Sequence, residues 1–156
     1  NIFNVLEHAD WCPALKGARV ADFYAGSGAL GLEALSRGAS FGLFVEFAAE
    51  ARGAIRENVD TLQLFGITRI HRRDATSLGP KPANLGEAFD LVFLDPPYGK
   101  GLGEKTLAKL LEGDWLTEDA VAVFEVGVDE TPETPGWSRQ VEKEYGAAKV
   151  LFLTRG

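Results

Sequence analysis

The sequence predicts an α/β fold in which a mostly parallel sheet carries helices on both faces and closes with an antiparallel hairpin at its C-terminal end. Three observations carry that prediction. After Gly17, short runs of β-branched and aromatic residues alternate with stretches of helical period, the pattern of successive βαβ units. The first run passes directly into a glycine-rich turn, as a strand does when it feeds a helix across a ligand. The last two extended runs are separated only by Gly146-Ala147-Ala148, which suits a hairpin.

Strands are expected at Arg19–Tyr24, Phe41–Glu46, Thr68–Arg73, Phe89–Leu94 and Ala120–Val126, each compact and mostly apolar, as strands buried on both faces are. Helices are expected in the gaps. The clearest spans Ala48–Phe65, where Ala51, Ile55, Val59, Leu62 and Phe65 recur at helical spacing and Gly66 supplies the stop. Beyond the acidic, proline-bearing loop Asp129–Gly136, Ser138–Tyr145 and Lys149–Thr154 make the hairpin. The chain opens on Asn1-Ile2-Phe3-Asn4-Val5-Leu6, which reads as the inside of an amphipathic helix without a cap before its first apolar position. With no methionine in the sequence, a further segment is expected upstream.

A chain of 156 residues with 46% hydrophobic content can bury one substantial core, and no repeat or linker divides it, so residues 1–156 are expected to form a single domain. No apolar run approaches the roughly 18 residues of a membrane helix and no secretory leader pattern is present, so a cytoplasmic protein is expected, as a monomer. The single cysteine, Cys12, excludes an internal disulfide, and no metal site is expected. A net charge of −7 argues against broad electrostatic attraction to polyanions, so a nucleic-acid substrate would have to be held by local cations.

Val20-Ala21-Asp22-Phe23-Tyr24 runs into Ala25-Gly26-Ser27-Gly28-Ala29-Leu30-Gly31, a strand meeting a helix through G-x-G-x-x-G. Gly26, Ser27 and Gly28 let backbone N–H groups approach a ligand, and the helix start offers unpaired donors to an anion. Glu46 ends the next strand, where a carboxylate can accept the hydroxyls of a ribose. A nucleoside cofactor follows, and the pattern alone fits either a nicotinamide dinucleotide or S-adenosylmethionine. Asp22 favours the latter, because it could meet a cofactor ammonium through water or the loop backbone. Asp74-Ala75 could bind an adenine amine, or Asp74 could simply cap a turn.

The strongest signal is Asp95-Pro96-Pro97-Tyr98-Gly99-Lys100-Gly101, delivered by Leu91–Leu94 to the carboxyl edge of the sheet, where open α/β folds bind ligands. An exocyclic base amine is a weak nucleophile because its lone pair is delocalised into the ring. Asp95 can accept one amine hydrogen and the Pro96 carbonyl the other, which aims the lone pair at a methyl donor. Pro96 and Pro97 fix φ and so hold that carbonyl. Tyr98 can stack on a base taken out of its helix, and Lys100 lies where a phosphate would approach.

These residues resemble a known family. Phe3–Leu6, the run Ala21–Ala39 containing A-G-S-G-A-L-G-L-E-A-L-S-R-G-A, Val45-Glu46, Asp74-Ala75 and Asp95–Gly101 are similar, over nearly the whole chain, to the RsmD family of bacterial guanine-N2 methyltransferases of 16S ribosomal RNA. The resemblance implies a Rossmann-like seven-stranded sheet, S-adenosylmethionine as cofactor, and small-subunit ribosomal RNA or its assembly intermediate as partner. Two departures stand out: Tyr24 where phenylalanine is expected, and no basic segment with Thr and Arg before Phe3-Asn4. The sequence is therefore expected to bind the cofactor while lacking part of its RNA-binding surface. The rival readings are an adenine-N6 methyltransferase, a nicotinamide-dependent oxidoreductase and a non-catalytic nucleoside-binding module.

Of the remaining residues, Arg69, His71, Arg72 and Arg73 are expected as a solvated strand edge, Trp11, Trp115 and Trp137 as packing residues, and the acidic loop Asp129–Glu133 as solvated.

Overall fold

The computed structural model describes all residues 1–156. Seven strands form one sheet in the order β3-β2-β1-β4-β5-β7-β6. In chain order they are β1 (Arg19–Phe23), β2 (Phe41–Val45), β3 (Thr68–His71), β4 (Phe89–Leu94), β5 (Leu116–Gly127), β6 (Trp137–Tyr145) and β7 (Ala148–Arg155). The first five run parallel, and β7 inserts antiparallel between β5 and β6. No helix is long and apolar enough to cross a membrane.

The helices divide unequally between the faces. On one side α1 (Ile2–His8), α2 (Ala29–Ser36) and α3 (Ala49–Thr61) pack through Phe3, Leu6, Leu32, Leu35, Ile55 and Val59. On the other, α4 (Leu102–Glu112) packs through Leu107 and Leu110 beside Trp115, which with Trp137 is buried as expected of packing residues. Ile55 and Val59, 0% and 3% exposed, are the anchored stripe of α3. Each such burial stabilises by about 1.5–3 kcal/mol.

Several expectations need correction. The helix expected over Ala48–Phe65 stops at Thr61, because Gln63 takes a left-handed φ of 58°. Gln63 N–H donates to the Asp60 carbonyl and Leu64 N–H to that of Val59, a Schellman closure made without glycine. Gly66 lies beyond it in a 3-10 turn. The gap between β3 and β4 holds only two 3-10 turns, Ala75–Ser77 and Ala83–Leu85, since Gly79, Pro80, Pro82 and Gly86 interrupt any longer helix. β5 begins at Leu116, because Leu116 pairs with Phe89 before an irregularity restores pairing at Val121, and exposed Glu118 and Asp119 hide this in the sequence. α1 is capped after all: the Asn1 side chain accepts from the Asn4 N–H at 3.0 Å.

Candidate active site

β1 ends one residue early, at Phe23, because Tyr24 turns the chain with a left-handed φ of 61°. Such a conformation in a bulky residue costs about 1–3 kcal/mol and persists only where neighbours enforce it. Here the Tyr24 hydroxyl bonds to Thr106 Oγ1 at 2.7 Å and donates to the Leu102 carbonyl at 3.2 Å, pinning the turn to α4. Gly26 and Gly28 follow with φ of 58° and 82°. Gly31 is required for packing, since a Cβ there would meet the Phe44 ring at 2.6 Å.

Asp22 lies beneath this turn, 2% exposed, and its Oδ2 accepts from the Gly31 N–H at 3.0 Å. It caps α2 from the neighbouring strand, in place of Gly28, which has no side chain to do so. Burial pushes its carboxyl up to about 8 despite that hydrogen bond.

Glu46, just past β2, accepts from Gly26 N–H at 2.8 Å through Oε1 and from Ala48 N–H at 3.0 Å through Oε2. It ties the glycine turn to the start of α3, and each oxygen keeps a lone pair for a further donor. Asp74 spends Oδ1 on the Thr76 N–H and hydroxyl, at 2.9 and 2.6 Å, and so does cap the 3-10 turn, which holds its carboxyl below the usual range. Its other oxygen remains for a ligand. Tyr24, Glu46, Phe47, Arg73, Asp74 and Ala75 are among the residues lining a cavity of about 240 Å³. One carboxylate able to accept ribose hydroxyls, Glu46, one able to accept an adenine amine, Asp74, and the exposed Phe47 ring fit the adenosyl part of S-adenosylmethionine. Ser27 stays exposed on the turn, where its carbonyl accepts from Asn58 Nδ2 at 3.0 Å.

The catalytic loop leaves β4 beside β5. Because Leu94 pairs with Phe124, the next residues, Asp95 and Glu125, fall side by side at the carboxyl edge. The Asp95 carboxyl is pushed up to about 7, first by burial and then by Glu125 next to it. Tyr98 keeps its ring accessible, at 47% exposed, while its hydroxyl donates to Glu125 Oε2 at 2.7 Å and is pushed up to about 12 by that contact. Pro96 is buried and Pro97 exposed. Glu130 crosses over from the loop after β5, accepting the N–H groups of Gly99 and Gly127 at 2.9 and 2.5 Å. Lys100 is exposed and in no ion pair, free to meet an anion.

Two set-aside groups therefore need revision. The acidic loop is not simply solvated, because Glu130 fastens it to the catalytic loop. The basic cluster is not a solvated edge throughout: Arg73 lies over Trp115 at 5.5 Å with Nη1 buried and unpaired, and Arg72 lies over Phe47 at 4.9 Å. Phe47, Arg73, Glu125 and Glu130 are site residues that sequence reasoning missed. Only Phe47, an exposed aromatic directly after Glu46, carried a local signal.

A nucleoside cavity and a carboxylate-proline loop at adjacent strand ends, on a sheet of this order, define a Rossmann-like methyltransferase. Comparison with known proteins narrows the class. Residues 1–154 match the family described as conserved hypothetical protein 95. The chain is 36% identical to ribosomal RNA small subunit methyltransferase D of Escherichia coli over 92% of its own length and 71% of the relative's. It is 35% identical to YlbH of Bacillus subtilis over 100% and 84%. The solved structure of Escherichia coli yhhF superimposes with a TM-score of 0.82 at 32% identity, covering 99% of this chain and 82% of that one. The Synechocystis magnesium protoporphyrin IX methyltransferase ChlM, solved with bound SAM, shares the fold alone, at 15% identity and a TM-score of 0.67. The chain belongs to the RsmD family of methyltransferases.

Proposed function

We propose that this protein transfers a methyl group from S-adenosylmethionine to the exocyclic N2 amine of a guanine in 16S ribosomal RNA. The observation that carries the reading is the placement of Asp95 at the head of a proline-fixed loop, at the carboxyl edge of the sheet on the strand next to the one that ends in the cavity lined by Tyr24, Glu46 and Asp74. When bound, the cofactor supplies an electrophilic methyl on a sulfonium centre. The residues of this chain do the rest. Glu46, Asp74 and the glycine turn hold the adenosyl part, and Asp22 fixes the helix start beneath it. Asp95 and the Pro96 carbonyl accept the two amine hydrogens and orient the lone pair along the line of displacement. One proton leaves the nitrogen as the new bond forms, and Asp95 takes it, its affinity matching the working pH. The Tyr98 ring offers a stacking face for the base, and Lys100 a contact for phosphate. Such a substrate places the protein in the cytoplasm, where ribosomal subunits assemble, and the name of the Escherichia coli relative supports the small-subunit assignment.

The test is methyl transfer from labelled S-adenosylmethionine to naked small-subunit RNA and to assembly intermediates, followed by nucleoside analysis. N2-methylguanosine is expected. N6-methyladenosine overturns the base assignment, and the absence of transfer on every RNA leaves a cofactor-binding module. Calorimetry should give heat with S-adenosylmethionine and none with NAD, and the opposite result overturns the methyltransfer reading.

A further inference from the structure

A carboxylate outside the catalytic motif stands beside Asp95 at the carboxyl edge of the sheet. Glu125 neighbours Asp95 by the register of β4 and β5, close enough for the two carboxyls to share a hydrogen bond, and its Oε2 accepts from the Tyr98 hydroxyl at 2.7 Å. The same residue lines one end of a cleft of about 400 Å³ bounded by α1, α2 and the β6–β7 hairpin, with Phe3, Leu30 and Val150 on its apolar side and Glu33 and Arg37 on its charged side. In their ionised forms Asp95 and Glu125 together present acceptors, and no donor, to whatever amine Asp95 holds.

The bases differ in what lies next to their amine. Guanine places the N1–H donor beside its N2 amine, so its edge reads donor, donor. Adenine places the N1 lone pair beside its N6 amine, so the same placement turns an acceptor towards a carboxylate. We propose that Glu125 is a specificity-determining residue: once the substrate edge parts the two carboxyls, its ionised carboxylate accepts guanine N1–H while Asp95 accepts an N2 hydrogen, and it rejects bases that carry a lone pair at that position. The proposal rests on the reading of the target as an RNA base amine, and it adds a choice between guanine and adenine that the Asp95–Tyr98 motif leaves open. Unpaired buried polar groups give strong discrimination, and one base-edge contact of this kind is worth about 1–3 kcal/mol, or roughly 5- to 150-fold.

The test uses RNA carrying either guanine or 2-aminopurine at the position where methylation has been mapped. 2-Aminopurine keeps the N2 amine but has a lone pair at N1. The wild-type protein is expected to favour guanine by about 10- to 100-fold in kcat/KM. Glu125→Gln retains shape and offers an amide N–H to the N1 lone pair, so the ratio should fall to about one or invert, with S-adenosylmethionine affinity unchanged. Tyr98→Phe should lower both rates and keep the wild-type ratio, because the carboxylate remains. Equal use of both bases by the wild type overturns the proposal without needing any variant. An unchanged ratio in Glu125→Gln, both rates falling together, also overturns it and reduces Glu125 to a support for Tyr98. In both cases guanine is still methylated, so the function proposed above survives. If the wild type leaves guanine unmodified, both readings fall.

Discussion

Glu46 and Asp95 both follow strands that flank β1, yet the protein holds these two carboxylates in opposite ways. Two backbone N–H groups grip Glu46 and fix its direction. Asp95 has Glu125 beside it instead, and its carboxyl rises to about 7 through burial and that neighbour. The difference separates positioning from proton chemistry. A carboxylate whose task is to hold a ribose is best braced by donors that never move, whereas one that must accept hydrogen bonds and then a proton is best left short of donors until substrate brings them.

That comparison can be broken at either end. Asp95→Ala should leave cofactor affinity within a few-fold and lower turnover by roughly 10²-fold or more, as loss of a preorganised polar group does. Single-turnover transfer with a parallel binding titration checks both halves, and parental turnover would remove Asp95 from the chemistry. Glu46→Ala should do the reverse. It weakens S-adenosylmethionine binding by roughly 10-fold or more, the scale of a lost charged hydrogen bond of about 1.5–3 kcal/mol. An unchanged dissociation constant in calorimetry would contradict the ribose role.

The pH dependence sharpens the contrast. Asp95 is raised to about 7, so below that pH it already carries a proton and cannot take the one the amine gives up. Turnover should therefore fall by roughly tenfold per unit as pH drops below 7. Glu125→Gln should move this limb towards acid, but not as far as an ordinary carboxylate, because burial is the larger cause. A limb that stays in place would show that Glu125 does not act on Asp95. The smallest effect belongs to the turn between the two carboxylates. Tyr24→Phe deletes the hydroxyl that bonds Thr106, a loss of about 1 kcal/mol visible as a small drop in melting temperature, with turnover nearly intact.

What the sequence revealed and what it hid follow from contact range. β4 was legible to the residue, Phe89–Leu94, because its signal is a local apolar run closed by prolines. The glycine turn, Glu46, Asp74 and Asp95 were legible for the same reason, each lying at a fixed offset from a strand end. Glu125 was not, since within Ala120–Val126 it looks like one polar residue in a buried strand, and only the pairing of Leu94 with Phe124 brings it to Asp95. Glu130 was hidden likewise: its partners are backbone N–H groups of another loop, which no side-chain pattern announces. The Ala48–Phe65 overreach came from treating glycine as the required helix stop, when Gln63 accepted the left-handed conformation.

β5 is hydrogen-bonded on both sides, to β4 and to β7, and carries Glu125 two residues before its end. The antiparallel insertion of β7 denies this strand a free margin, so its amides should be among the last to trade hydrogen for deuterium, opening only with the whole domain. The catalytic loop on the neighbouring strand has no such ladder beyond Leu94 and is tied on that side by the Tyr98 hydroxyl on Glu125 and by the Gly99 N–H on Glu130. One acid of the pair thus lies inside a doubly paired strand and the other just past the end of a ladder. A displacement of the loop that broke its two side-chain ties would move Asp95 relative to Glu125, which the strand holds.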